Sequence, residues 1–193
     1  MIKTLLITFT VVFGIATAVF TDRMGLFIDE IGTKNSNGEC PDFSKPSGRL
    51  SGKSVCILSG VYTDNITLSS EILWALEDEV IIGGDNRDSA VLSIESGTQI
   101  FGQSGDDYLF ISRGSKIFAE GTKEEPIVFT SKKDVMGLAS KHHKGEWGGI
   151  VIAGNAPTNV DGGEQFEFAL TGGSFGGDNP HDSSGALTYV LIK

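Results

Sequence analysis

From Val55 to the last residues, apolar positions come in short runs of three to six, broken by Gly, Asp, Asn and Ser. Val55-Cys56-Ile57-Leu58, Asn65-Ile66-Thr67-Leu68 and Val80-Ile81-Ile82 are rich in branched side chains that suit a pleated, half-buried surface, and they predict strands. Ile72-Leu73-Trp74-Ala75-Leu76 fits a strand and a helical turn equally. Pro126-Ile127-Val128-Phe129-Thr130, Gly149-Ile150-Val151-Ile152-Ala153 and the run over 186–192 continue the β pattern, with Pro126 acceptable as a first strand residue. Two stretches match each other position by position: Leu92-Ser93-Ile94-Glu95-Ser96-Gly97-Thr98-Gln99-Ile100-Phe101 and Leu109-Phe110-Ile111-Ser112-Arg113-Gly114-Ser115-Lys116-Ile117-Phe118. Short strands at a period near twenty, with a fixed glycine, predict a β-solenoid. No such unit buries its apolar face alone, so the units must stack. Gly97 and Gly114 are expected at positive φ in equivalent turns.

The N-terminus reads differently. Lys3 precedes an apolar run over residues 5–15, and Ala16-Thr17-Ala18 supplies a small-x-small cleavage pattern, so residues 1–18 are expected to be a signal peptide. An uncleaved anchor is the alternative, although the run is short for a bilayer, which needs about 20 apolar residues. Residues 19–54 are expected to form a linker or cap and residues 55–193 the parallel β-helix.

Charge narrows the partners. Removal of Lys3 with the leader takes the formal charge from −10 to −11. An acidic surface argues against nucleic acid, whose phosphates call for clustered Lys and Arg. Cys40 and Cys56 are the two cysteines, and in an oxidising compartment they are expected to pair. Closing a loop of about 15 residues is worth roughly 3 kcal/mol in the chain-entropy model.

The stretch from Gly114-Ser115-Lys116-Ile117-Phe118-Ala119-Glu120-Gly121-Thr122 to Pro126-Ile127-Val128-Phe129-Thr130-Ser131 resembles a G-x-x-I-x-A-x-G-T-x-x-x-P-I-x-F-T-S signature. That signature is found in bacterial secreted right-handed parallel β-helix proteins with a pectin-lyase-like fold. Gly145-Glu146-Trp147-Gly148-Gly149-Ile150-Val151-Ile152-Ala153-Gly154-Asn155-Ala156 is similar to their W-G-G-I-x-I-x-G-x-A segment, and residues 175–190 to their next coil. The resemblance covers about residues 72–193. It implies an all-β, right-handed parallel β-helix and export to the bacterial exterior or outer cell surface, and it implies no catalytic residues. The resembling proteins continue past the final Y-V-x-I strand, so the chain is expected to be C-terminally truncated, its last coil open to end-to-end self-association.

Candidate chemistry is sparse. Gly83-Gly84-Asp85-Asn86-Arg87-Asp88-Ser89 and Gly176-Gly177-Asp178-Asn179-Pro180-His181-Asp182-Ser183 are variants of one loop. Asp85, Asn86, Asp88, Asp178, Asn179 and Asp182 offer the oxygen ligands Ca²⁺ takes, but closing their own turns through Asx hydrogen bonds is their plainer role. His142-His143 between lysines reads as a solvated loop, since zinc needs three or four converging ligands. Asp106-Asp107, Glu124-Glu125 and Asp134 are available carboxylates, but none recurs at a spacing that stacks two on one face, and no catalytic set is assigned. Trp147 and Phe175 are candidate sugar-stacking rings, with corner packing the plainer role.

The sequence therefore predicts a secreted or surface structural or adhesive module, without catalysis and without a membrane span once the leader is removed. Its expected partner is an extracellular polysaccharide or another surface protein. The alternative is a carbohydrate-active enzyme, a polysaccharide lyase or hydrolase, or a binding remnant of one.

Overall fold

The structure, a computed structural model, describes residues 39–159, the backbone of 164–165, and 173–193. The expected leader over 1–18 and the 19–38 part of the expected linker lie outside the described residues.

The described chain is nearly all β. Strands β1 (Lys45–Leu50), β2 (Lys53–Tyr62), β3 (Ile66–Leu68), β4 (Ile72–Ile82), β5 (Val91–Ile94), β6 (Gln99–Gly102), β7 (Tyr108–Ile111), β8 (Lys116–Glu120) and β9 (Ile127–Ser131) precede a one-turn helix, α1 (Lys132–Val135). Strands β10 (Gly149–Ile152), β11 (Glu164–Gln165), β12 (Ser174–Phe175), β13 (Gly185–Thr188) and β14 (Val190–Ile192) follow. The segment Ile72–Leu76, ambiguous in sequence, is the first half of β4, the longest strand. β4 bends where Asp78 takes φ 56°, so its first half pairs with β6 and its second with β7.

Successive passes of the chain pair in parallel register in three rows. Cys56, Trp74, Ile100, Phe129 and Ile192 are partners along the first row. Tyr62, Ile82, Ile111 and Ile152 are partners along the second. Leu68, Ile94, Ala119 and Leu187 are partners along the third. These columns face one core, in which Trp74, Ile82, Ile100, Ile111, Ala119 and Phe129 are at most 1% exposed. Burying each large side chain of this kind is worth about 1.5–3 kcal/mol.

The matched units do not stack on one another. Leu92 partners Ile117, whereas Leu109 partners Val80 and Ile150. The offset from Leu92 to Leu109 measures the step from one corner of a pass to the next, and a full pass takes longer because it must traverse three rows. The two corners are locally alike, which is why their sequences match. Thr98 N–H closes on the Glu95 carbonyl and Ser115 N–H on Ser112, with Gly97 at φ 76° and Gly114 at φ 81°. Positive φ at the third residue of the turn is the type II requirement that glycine meets.

The first pass is covered. β1, inside the segment read as linker, runs antiparallel along β2. Cys40 is bonded to Cys56, with Cα atoms 5.5 Å apart. Phe43 lies flat on Trp74 at 5.9 Å and edge-on to Tyr62 at 6.3 Å. A ring from the cap thus closes this end of the core.

Candidate functional site

The two G-G-D-N loops come to one side of the stack and are tied together across passes. Arg113 donates from Nε to Asp85 Oδ1 and from Nη1 to the Gly176 carbonyl, both at 2.6 Å. The guanidinium hydrogen bond holds the Asp85 carboxyl below its ordinary value. Asn86 and Asn155 exchange side-chain amide hydrogen bonds, and the Asn155 N–H donates to Asp182 Oδ2 at 2.8 Å. Asn179 Oδ1 accepts the His181 N–H, a local Asx bond, while Asp178 is exposed. The Asp88 carbonyl accepts the Gly84 N–H. Gly83 is required here, because a Cβ would collide with Ser115 Oγ. Among the described residues no three His, Cys, Asp or Glu side chains gather as a metal site.

A second feature is an open groove of about 740 Å³ lined by Ser59, Asp78, Glu79, Asp106 and Tyr108, with Gly60, Gly105 and Gly148 leaving its walls bare. Its lining residues belong to successive passes, so the groove follows the stack. Asp107, buried beside it, accepts from the N–H groups of Asp78, Gln103 and Ser104 at 2.7, 2.6 and 2.5 Å. That carboxylate pins the corner to the bend in β4. Tyr108 is buried, and burial, followed by the Glu79 carboxylate, pushes its phenol up.

The third is a polar cavity of about 400 Å³ under the 135–147 excursion, lined in part by Ser131, Asp134, His143, Glu146, Trp147 and Lys193. Glu146 meets Lys133 Nζ at 2.7 Å and His143 Nδ1 at 3.1 Å, and accepts from Ser131 Oγ at 2.7 Å. Lys133 and then Ser131 lower its carboxyl below the usual value. Asp134 accepts from Thr130 Oγ1 at 2.8 Å. Trp147 stacks on Phe129 at 6.4 Å with rings 7° apart, and its indole N–H donates to the Lys193 carbonyl. Phe175 packs against the separate cluster of Ile81, Tyr108, Phe110 and Ala153. The two candidate stacking rings therefore sit in different hydrophobic clusters.

Rows of parallel strands joined by glycine corners, with a groove along the stack, meet one family description: a pectate-lyase-like β-helix domain model matches residues 60–193. The chain belongs to this family. No curated protein and no solved structure matches the chain.

Within this pectate-lyase-like β-helix domain, sequence reasoning missed the residues that link one pass to the next. Arg113 stands inside a matched unit and Asn155 inside a motif, and neither is a candidate site residue in the sequence reading. The one signal for Arg113 was its position: it precedes Gly114 in a corner where the matched unit has Ser96. A long cation beside a tight turn can reach loops on neighbouring passes.

Proposed function

We propose that this β-helix domain is a secreted or surface-exposed bacterial module that holds an extracellular polysaccharide or another surface protein along its stack without turning it over. Residues 1–18 direct its export. Its passes wind in the right-handed sense that parallel crossovers take in almost all cases. The observation that carries the reading is how the carboxylates are engaged. Asp107 is bound by three backbone amides, Asp85 by Arg113, Glu146 by Lys133 and Ser131, and Asp182 by a backbone N–H. A general acid or base must face substrate and exchange a proton there. Side chains occupied in holding corners are suited to scaffolding. The formal charge of −10 and the carboxylates of the groove disfavour uronate polymers and favour neutral or amino-sugar chains.

The second reading, a carbohydrate-active enzyme, draws on the family and on the groove, where Glu79, Asp106 and Tyr108 line one open space. A glycan array run beside reducing-sugar and unsaturated-product assays separates the two. Binding without product supports the module, and turnover of any polymer by the purified chain defeats it.

A further inference from the structure

We propose that a second cavity beside the groove is a subsite for one neutral sugar unit, carried as a branch on a polysaccharide main chain that follows the stack. The proposal rests on the groove holding a polysaccharide, and it names what gives that binding its specificity.

The cavity, of about 260 Å³, is walled by Val61, Ile81 and Phe110 and rimmed by Arg87 and Asp88 of the first G-G-D-N loop. Its place follows from register. Ser59, Glu79 and Tyr108 line the groove, and Val61, Ile81 and Phe110 stand two positions further along the same three strands. Val61, Ile81 and Phe110 are partners across β2, β4 and β7, as Glu79 and Tyr108 are across β4 and β7. Between them Val80 and Leu109 are buried in the core. Residues two apart on a strand face the same way, so groove and cavity share the outer face of the second row, about 6.6 Å apart along the strands. A chain running along the stack therefore passes the cavity at its side, and a single unit hung from that chain reaches it.

The two spaces differ in chemistry. Carboxylates alone supply the charge of the groove, through Asp78, Glu79 and Asp106. The cavity sets a cation, Arg87, beside Asp88, while Asp85 next to them is already bound by Arg113. Among the described residues no hydrogen bond occupies the side chain of Arg87 or of Asp88. A sugar hydroxyl is donor and acceptor at once, so it accepts from the guanidinium and donates to the carboxylate. The C–H face of the ring covers Val61, which is 58% exposed, over a floor in which Ile81 and Phe110 are 7% and 5% exposed. An apolar wall with a few convergent polar groups is the usual make-up of a ligand pocket. An acidic unit is repelled by Asp88 and an amine by Arg87, and a neutral unit meets neither penalty. The rim is set before any ligand arrives: Asp85 and Asn86 stand at φ 46° and 65°, tied by Arg113 and Asn155.

Isothermal titration of the full chain tests this with matched neutral oligosaccharides: linear mannan against its galactosyl-branched form, and linear glucan against its xylosyl-branched form. The branched member of at least one pair is expected to bind about tenfold tighter, as one or two added hydrogen bonds to charged groups provide. Arg87→Ala and, separately, Asp88→Asn are expected to remove that gain and leave the affinity for the linear member as it was. Should either fail to fold by circular dichroism, Val61→Asp on the exposed wall is expected to remove the same gain. A branch that brings no gain in the parent overturns the proposal, and so does a variant that weakens linear and branched members alike; in both cases binding in the groove stands. Binding of neither member of either pair overturns the proposal together with the polysaccharide reading of the groove.

Discussion

Asn86 and Asn155, 69 residues apart in sequence, exchange two side-chain amide hydrogen bonds of 2.8 and 2.9 Å. Each amide serves as donor and acceptor to the other, so removing either leaves the other half-satisfied. Asn155→Ala is expected to cost about 1 kcal/mol, the usual net value of an exposed hydrogen bond pair, and a double-mutant cycle with Asn86→Ala should show that the two losses do not add. Additive losses in urea unfolding would show that the pair is not coupled.

Gly102 is packed directly under Trp147. A Cβ there would collide with Trp147 Cβ, and neither atom is the end of a flexible chain. Gly102→Ala is expected to lift the indole from Phe129, red-shift its emission, and destabilise the chain by about 1–3 kcal/mol, as overpacking does. Unchanged emission and melting would count against the contact.

The cap is held by the β1–β2 ladder, by one disulfide and by the contacts of Phe43 with Trp74 and Tyr62. Replacing both Cys40 and Cys56 by serine is expected to cost about 3 kcal/mol, the chain-entropy value for a loop of this length. Phe43→Ala should uncover Trp74 and raise its accessibility to a quencher. A double-serine variant as stable as the parent would mean that the cap holds without the bond.

Acid should loosen the corners. The folded-state values of Asp85 and Glu146 lie below their ordinary 3.8 and 4.5. A lowered folded value means that the contribution is whole at neutral pH, above the unfolded value, and is lost as pH falls through the folded one. Stability should therefore decline below about pH 5, with the Asp85 share absent in Arg113→Met. An equally steep acid profile in that variant would remove Arg113 as the cause.

Millimolar calcium is expected to leave the melting temperature unchanged. Asp85 is paired with a guanidinium and Asp182 with a backbone amide, so an ion would have to displace both. A ligand that binds the native state raises the melting point by mass action. A calcium-dependent rise that is lost in Asp178→Ala, Asp182→Ala would make the loops a metal site.

Local patterns were readable in the sequence, and partnerships between passes were not. Ile127–Ser131 and Gly149–Ile152 fall where branched residues cluster, and Gly97 and Gly114 have the positive φ that their turns require. The disulfide followed from counting thiols. The identity of Leu92 and Leu109, however, reports two corners of similar geometry, and nothing in their chemistry says that Leu92 rests on Ile117. β1 escaped notice because Pro46 and Gly48 break its pattern, and it is a strand because β2 offers an edge. The bridges through Arg113, Asn155 and Asp107 depend on register, which single-residue propensities do not encode.

The closed first pass also sets an order of assembly. Ile111 finds Ile82, and Ala119 finds Ile94, one pass after each is made, so early passes can be laid down as the chain emerges from the ribosome, each templating the next. Phe129 waits for Ile192, near the end of the chain, with the long excursions intervening. Doubling a loop adds only about 0.6 kcal/mol of closure entropy, so the delay lies in synthesis more than in thermodynamics. At about 5–20 residues per second, the β9 strand edge stands for several seconds before β14 is made to pair with it, although Trp147 covers the Phe129 ring sooner.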